Sequence, residues 1–214
     1  IRDRSGITLA LGERVRTVAM RAVKEAKKHN VPVSFDFNYR SKLWTVEEAR
    51  PVYKEFMDYV NIVFASFYDA NTILEIPLDD DFEGTTLSEK RRNVFPKMIK
   101  KYNLHYIFGT DRVVYSATEN SLAGYYFKLQ DDELSWELTE PIRFNIYDRI
   151  GGGDAFASGV IHGLLKDYKN PAYAVRYGLN TSVLKHTIYG DASVLSCEEI
   201  ESFMAANGSA EVVR

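Results

Sequence analysis

The hydrophobic positions of this 214-residue chain follow two different periods. Apolar residues recur at helical spacing over residues 15–30, with charged residues between them, which predicts an amphipathic helix ending near Asn30. Thr45 is a suitable N-cap for a second helix that runs to about Tyr59, and residues 68–75 also have a helical pattern. Short continuous apolar runs predict buried strands at 31–37, 61–66 and 105–108.

The second half of the chain continues with further elements of both kinds. Residues 112–117 and 122–127 alternate about Glu119-Asn120, which predicts a hairpin. Apolar patterns predict three later helices, at 154–165, 171–186 and about 196–204. A basic cluster is interleaved with apolar residues at helical spacing and is interpreted as the solvated face of a helix with Pro96 in its first turn; its members are Lys90, Arg91, Arg92, Lys97, Lys100 and Lys101.

The alternation of short apolar strands with helices predicts an α/β fold. In such a fold a mostly parallel central sheet is covered by helices on both faces. Ligands bind such sheets at the carboxyl ends of the strands. The positions at or just after predicted strand ends are Asp36, Ser66, Gly109 and the glycine run 151–153.

The glycine run is the most informative segment. Gly151, Gly152 and Gly153 precede Asp154, which opens an apolar helical stretch. Glycines allow a ligand to approach the backbone closely, and a helix N-terminus attracts an anion such as phosphate. An aspartate beside a bound phosphate is a poor binder but a suitable base for the attacking hydroxyl. The structural alternative is a glycine turn with Asp154 as an ordinary N-cap.

A second candidate motif, Asp36-x-Asn38-x-Arg40, ends the predicted strand at 31–37. An arginine can hold a carboxylate through two parallel hydrogen bonds, and an asparagine can both donate to and accept from a sugar hydroxyl. The alternative is again structural, because Asp and Asn often end strands.

Composition narrows the classes of function. The net charge of −3 gives no electrostatic footprint for nucleic acid, and no apolar run approaches the length of a membrane span. Cys197 is the only cysteine, which favours a reducing compartment, so we expect a cytoplasmic protein. The four histidines have no metal-ligand spacing and are interpreted as ordinary core or surface residues; they are His29, His105, His162 and His186.

Taken together, the two motifs resemble those of the ribokinase-like carbohydrate kinases of the phosphofructokinase-B type. The finer resemblance is to the 2-keto-3-deoxygluconate kinases. It rests on Lys42-Leu43-Trp44 after the first motif, on the sequence of residues 148–154, and on the pair Gly190-Asp191. This resemblance covers nearly the whole chain. It implies a three-layer α/β/α sandwich and ATP-dependent phosphorylation of a sugar acid, with Mg²⁺ as the accompanying metal.

The resemblance also implies residue roles. Asp154 would be the catalytic base, and Gly151, Gly152 and Gly153 would form the anion hole. Arg40 would hold the substrate carboxylate, with Asn38 and Asp191 at its hydroxyls. The remaining candidates are nucleotide contacts at Ser66, Gly109, Thr110, Arg112 and Asn180, and a metal contact at Asp69.

The chain departs from the family pattern in three respects. Ser66-x-x-Asp69 stands where many members have Asn-x-x-Glu, and Phe108-Gly109-Thr110-Asp111-Arg112 stands where many have Lys-x-Gly. Roughly the N-terminal third of a family chain, which includes a β-strand lid that often forms a dimer contact, has no counterpart here. We therefore interpret residues 1–214 as the C-terminal nucleotide-binding and catalytic portion of one kinase domain, and expect a homo-oligomer through the lid in the full-length protein.

Two alternatives stay open at this point. The first is a kinase of the same family that acts on fructose, ribose or a nucleoside, which Arg40 and Asp191 would distinguish. The second is a non-catalytic nucleotide- or sugar-binding fragment, which the substitutions at Ser66 and Phe108 would favour.

Overall fold

The computed structural model describes residues 1–206 as an α/β structure with a mixed, mostly parallel sheet. The strands are β1 Arg2–Ser5, β2 Val33–Asp36, β3 Ile62–Phe64, β4 Tyr106–Val114, β5 Glu119–Gln130, β6 Glu133–Leu138 and β7 Ile142–Asn145. The helices are α1 Gly6–Ala10, α2 Glu13–Lys28, α3 Val46–Met57, a π-helix Asp69–Ile73, α4 Leu87–Tyr102, α5 Gly152–Lys166, α6 Pro171–Lys185 and α7 Cys197–Ala205. Among these residues no helix is both long enough and apolar enough to cross a membrane.

The strands are hydrogen-bonded in the order β1-β2-β3-β4-β5-β6, and β7 pairs with β5. The pairs β1–β2, β2–β3 and β3–β4 are parallel, whereas β5–β7 is antiparallel. The fold class predicted from the strand–helix alternation is therefore confirmed. The chain divides into two compact units, which we call unit 1 (residues 1–109 and 127–136) and unit 2 (residues 110–126 and 137 onward).

Unit 1 is built on short, buried parallel strands. Phe35 of β2 is fully buried, and its ring centroid lies 5.2, 5.5 and 5.0 Å from those of Phe37, Tyr53 and Phe56. Thr45 begins α3 with a reciprocal capping box, since its side chain accepts from Glu48 N and the Glu48 side chain accepts from Thr45 N. The predicted cap and the predicted helix are both confirmed.

Helix α4 of unit 1 corrects one expectation. Pro96 does not lie in the first turn but inside the helix, which begins at Leu87 behind a capping box formed by Thr86 and Glu89. The Thr-x-x-Glu spacing is a strong start signal and outweighs the tendency of proline to occupy an N-terminal position. The buried face of α4 includes Val94 and Met98, so the amphipathic interpretation of this segment is confirmed. Arg91 is an exception, because it is buried and does not belong to the solvated basic face.

In unit 2, helices α5 and α6 pack closely because of glycines at their contact. A Cβ atom at Gly159 would lie 2.8 Å from Gly178 Cα, and one at Gly163 would lie 2.7 Å from Ala174 Cα. No side chain fits at either position without moving the partner backbone. A separate apolar cluster of Leu122, Phe144, Leu179 and Val183 packs α6 against β5 and β7.

The predicted hairpin is present, but its turn lies before the predicted position at Glu119-Asn120. The turn occupies residues 115–118, and Glu119 and Asn120 already belong to β5, where they pair with Asn145 and Phe144 of β7. The backbone hydrogen bonds from Tyr115 N and Ser116 N to Glu119 O close the turn. The pairing partner β7 decides this register, and no local pattern in the sequence indicated it.

Candidate functional site

The glycine run forms the start of helix α5 in unit 2. Gly151 is the N-cap with φ of 77°, a left-handed conformation that favours glycine, and it provides no side-chain cap. The helix begins at Gly152, two residues earlier than predicted, because all three glycines can adopt the required turn. Asp154 is therefore the third helical residue and not the N-cap, so the structural alternative of an ordinary aspartate cap is wrong.

The neighbours of the three glycines differ. A side chain at Gly151 would collide with the Asp191 backbone, and one at Gly152 would collide with the His186 ring, whereas Gly153 has open space around it. Ser182 Oγ of α6 donates to Gly152 O at 2.8 Å and holds the run from behind. Two of the glycines thus serve packing, and the third leaves the backbone accessible.

Several polar groups at the start of α5 have no hydrogen-bond partner among the described residues. Among residues 1–206, neither the Asp154 carboxylate nor the amides of Gly153 and Asp154 make a hydrogen bond, and Asp154 is exposed. Unpaired amides at a helix N-terminus attract anions. An exposed carboxylate beside them can accept a proton from a bound hydroxyl.

Asp148 fixes the loop that leads into the run. Its Oδ1 accepts from Ile150 N at 2.9 Å, and its Oδ2 accepts from Gly190 N at 3.0 Å. These backbone hydrogen bonds lower the pKa of Asp148. They also bring the loop of Asp191 to the glycine run, so the structure places the predicted substrate contact Asp191 next to the predicted anion hole.

Arg112 of β4 reaches the same region of unit 2. Its Nη2 lies 3.4 Å from Nε2 of His186, whose ring is in contact with Gly152. The Arg112 residue as a whole is exposed, yet partial burial of its guanidinium, followed by the nearby charge of Arg149, lowers the pKa of Arg112. Thr110, two residues before Arg112 on the same strand, is half-buried.

Asn180 lines a cavity of about 560 Å³ in unit 2. Its Nδ2 donates to Arg176 O at 2.8 Å, while its buried Oδ1 has no partner among the described residues. Other residues that line this cavity are Glu137, Thr139, Ile142 and Leu179. This oxygen is enclosed by protein atoms, so Asn180 lines the cavity while its unpaired acceptor is not exposed to it.

In unit 1, the predicted substrate residues follow β2. Asn38 has φ of 38°, its backbone N donates to Asp36 Oδ1, and its Nδ2 donates to Ser5 Oγ. Arg40 is exposed, and its guanidinium makes no hydrogen bond or ion pair within residues 1–206. The Arg40 guanidinium is thus available to a carboxylate, and its role as a clamp stays a prediction.

Ser66 and Asp69 form a local turn after β3, also in unit 1. The backbone N and the Oγ of Ser66 both donate to Asp69 Oδ2 at 2.7 Å. Burial raises the pKa of Asp69, although the Ser66 hydrogen bonds act in the opposite direction. Gly109 lies on the adjacent strand β4, and the carboxyl ends of β2, β3 and β4 share one edge.

The described residues contain no group of three or more His, Cys, Asp or Glu side chains that could hold a metal ion. Mg²⁺ commonly keeps several waters and is bound through one or two carboxylates and substrate phosphates. Asp69 is a single, buried carboxylate whose Oδ2 is occupied by Ser66. The residues present thus fit a metal carried mainly by the nucleotide, not one held in a protein cage.

The comparison with protein families decides the classification. The pattern of the pfkB family carbohydrate kinases matches residues 5–196, which include every predicted site residue from Asn38 to Asp191. The chain belongs to this family. The resemblance inferred from the two motifs is confirmed, and the unit 1 and unit 2 residues described above lie within a carbohydrate-kinase sequence.

Individual relatives point to one branch of the family. A solved 2-dehydro-3-deoxygluconokinase from Thermotoga maritima is 34% identical, with a TM-score of 0.82 over 95% of this chain and 59% of its own. A 2-dehydro-3-deoxygalactonokinase from Haloferax volcanii is 28% identical over 92% of this chain and 54% of its own. A 2-dehydro-3-deoxygluconokinase from Haemophilus influenzae is 28% identical over 76% and 46%. The chain spans about half the length of these curated relatives.

Sequence reasoning missed two residues that hold the unit 2 site together. Asp148 was noted only as part of a motif, yet it ties the glycine run to the Asp191 loop. His186 was interpreted as an ordinary histidine, yet it contacts both Gly152 and Arg112. Its position five residues before Asp191, at the end of a predicted helix, is the one signal that could have drawn attention to it.

Proposed function

We propose that this chain carries the catalytic base and the nucleotide site of an ATP-dependent sugar-acid kinase that phosphorylates 2-keto-3-deoxygluconate. The observation that carries the proposal is the start of α5, where an exposed Asp154 carboxylate stands beside unpaired amides of the glycine run. The names of the similar kinases support the substrate class, since 2-dehydro-3-deoxygluconate is another name for 2-keto-3-deoxygluconate.

In the proposed reaction, Asp154 accepts the proton of the sugar hydroxyl while the hydroxyl oxygen of the sugar bonds to the γ-phosphorus of ATP. The bond from that phosphorus to the bridging oxygen breaks, and ADP leaves. The amides of Gly153 and Asp154 donate to the transferred phosphoryl oxygens, which carry the developing charge. Mg²⁺ would neutralise phosphate charge when bound, and Asp69 is kept as a predicted contact that reaches it through water.

Substrate selection is assigned to unit 1 residues and to Asp191. Arg40 would bind the carboxylate of the keto acid, and Asn38 would hydrogen-bond a hydroxyl. A neutral sugar has no group that needs the free guanidinium of Arg40. The alternative of a fructose, ribose or nucleoside kinase therefore has less support from the described residues.

The nucleotide contacts are proposed separately for each unit. We assign Asn180 to the nucleotide base, because this residue lines the unit 2 cavity and its buried Oδ1 has no partner among the described residues. Thr110 and Arg112 would contact the phosphates, and Ser66 and Gly109 are proposed at the strand ends of unit 1. A cytoplasmic location and assembly into a homo-oligomer complete the proposal, and the single cysteine favours the first.

A coupled ADP-release assay tests the substrate. The compounds are 2-keto-3-deoxygluconate, its galactonate epimer, gluconate, fructose and ribose. We expect turnover on the keto acids and, for Arg40→Ala, a KM for the keto acid raised by at least tenfold, as expected when a charged hydrogen bond worth about 1.5–3 kcal/mol is lost. Arg40→Lys should lose part of this because lysine cannot bind bidentately.

Turnover on a neutral sugar alone would retain the kinase and overturn the role of Arg40. Absence of turnover on every compound, with ADP binding retained, would favour the non-catalytic binding protein. Equal turnover on the two epimeric keto acids is compatible with the proposal, because Arg40 contacts the carboxylate that both share.

A further inference from the structure

His186 occupies a position that the proposed reaction does not use directly. It is the C-cap of α6 and is fully buried, and its carbonyl oxygen accepts from Tyr147 N and Asp148 N ahead of the glycine run. Its ring packs against Phe144 with centroids 4.9 Å apart and fills the space beside Gly152. A buried polar ring in such a place needs partners for both nitrogens.

The hydrogen bonds of the ring define its protonation. Nδ1 lies 2.7 Å from Ser182 O, and a carbonyl oxygen can only accept, so Nδ1 carries the proton. Arginine can only donate, so Nε2 is the acceptor for Arg112 Nη2 at 3.4 Å. The ring is therefore a neutral imidazole, and burial, together with the charges of Arg112, Lys185 and Arg149, lowers the pKa of His186 despite the Ser182 hydrogen bond.

The acceptor matters because of the charges around it. Arg112 is exposed and stands near Arg149, whose guanidinium is itself held by Ala117 O at 3.0 Å. Two like charges would separate if nothing held them, and an exposed arginine has many rotamers. A neutral acceptor fixed between Ser182 and Gly152 gives Arg112 one preferred orientation, with its guanidinium beside the start of α5.

We propose that His186 is a positioning residue that holds Arg112 beside the glycine run, so that this guanidinium can bind a phosphate of the nucleotide. The inference rests on the proposed function, since it assumes that a nucleotide phosphate binds at this helix start. The Arg112 contact is long for a hydrogen bond, and contacts of this kind commonly tighten when the ligand arrives.

Two amide substitutions separate the two nitrogens of the ring. The asparagine amide in His186→Asn reaches the place of Nδ1 and can keep the hydrogen bond to Ser182 O, but it provides no acceptor at the place of Nε2. The longer glutamine in His186→Gln reaches the place of Nε2 and can still accept from Arg112. If His186 were only structural, each substitution would weaken ADP binding only as far as it lowers the melting temperature.

The experiment is calorimetric titration of ADP into the 214-residue chain and its variants, with thermal melting of each. We expect Arg112→Ala to weaken ADP binding about tenfold or more, as for loss of a charge-assisted hydrogen bond. H186N should weaken it to a similar extent, and the double variant should be no weaker than R112A alone. H186Q should retain most of the affinity.

Other results overturn the inference. If R112A weakens binding while H186N does not, or if the two losses multiply in the double variant, His186 does not act through Arg112. If H186N fails to fold, H186Q decides: an H186Q chain that melts normally but loses as much ADP affinity as R112A rejects the inference, because its amide can still accept from Arg112. If the unaltered chain binds no ADP at all, the proposed nucleotide site itself is wrong.

Discussion

Helices α3 and α5 begin in opposite ways, and the difference separates a structural helix start from a candidate binding site. At α3 the Thr45–Glu48 capping box satisfies the first backbone amides from within the chain. At α5 the N-cap is Gly151, which has no side chain, and the outward amides stay unpaired within residues 1–206. Helices α4 and α7 follow the α3 arrangement. Helix α2 also begins behind a glycine, Gly12, without a side-chain cap, so a missing cap alone does not mark a site. What distinguishes α5 is the exposed carboxylate of Asp154 beside its unpaired amides.

The largest expected effect is on kcat, and it separates the acid at the start of α5 from the acid at the start of α3. Asp154→Asn should lower kcat roughly 10²–10⁴-fold, because it removes the proposed base, while ADP affinity is retained. The matched control is Glu47→Gln, which alters an exposed acid in the first turn of α3. The control should leave kcat unchanged in the coupled assay. An active D154N enzyme would remove Asp154 from the mechanism.

The next effect concerns the glycines themselves. Gly152→Ala places a Cβ against the His186 ring and should lower the free energy of unfolding by about 1–3 kcal/mol. Gly153→Ala meets no atom within 4 Å and should leave stability unchanged or raise it, yet weaken ADP binding because the methyl group faces the proposed phosphate. Chemical denaturation and ADP titration measure the two quantities. Equal ADP affinity of G153A would argue against close approach of a phosphate to this amide.

The capped helix supplies the complementary prediction. Thr45→Ala should lower the free energy of unfolding by about 1 kcal/mol, since the capping hydrogen bond to Glu48 N is lost. It should not change ADP affinity, in contrast to the changes at the start of α5. A T45A protein with normal stability would show that the box contributes little and would weaken the contrast between the two helices.

The smallest effect is expected at Asp69, whose carboxylate is satisfied inside its own turn. Its folded-state pKa is raised, so the folded chain releases this proton at higher pH than the unfolded chain. The stability of the protein, measured relative to Asp69→Asn, should therefore fall as pH rises through that folded-state pKa. Denaturation midpoints from acidic to neutral pH measure this. An unchanged KM for Mg²⁺ in D69N would also remove Asp69 as a metal contact.

The sequence predicted best those elements whose boundaries are set by residues close together along the chain. Thr45 and Ser196 each stand three residues before a glutamate, and both start helices as expected. Strands β6 and β7 were not predicted, because exposed antiparallel strands lack a continuous apolar run and β7 is defined by its pairing with β5. Pro96 lies inside α4 and not in its first turn, because the helix begins at the Thr86 capping box.

The candidate site shows the same division. The glycine run and the Asp36–Arg40 motif were found from residue type and spacing, because their chemistry is carried by neighbours in sequence. The links of His186 to Gly152 and Arg112 join residues 34 and 74 positions apart, and only the tertiary structure shows them. The individual roles of the site residues stay predictions until the variants above are measured.

Helix α5 contains glycine at positions 152, 153, 159 and 163, and each costs about 1 kcal/mol of helix propensity relative to alanine. Such a segment would be mostly coil in isolation, so α5 exists because it is docked on α6. The proposed phosphate-binding start of α5 therefore forms only when this helix pair folds, and any ligand bound there stabilises the folded pair. Saturating ADP should slow amide hydrogen exchange along both helices, far beyond the residues that it contacts.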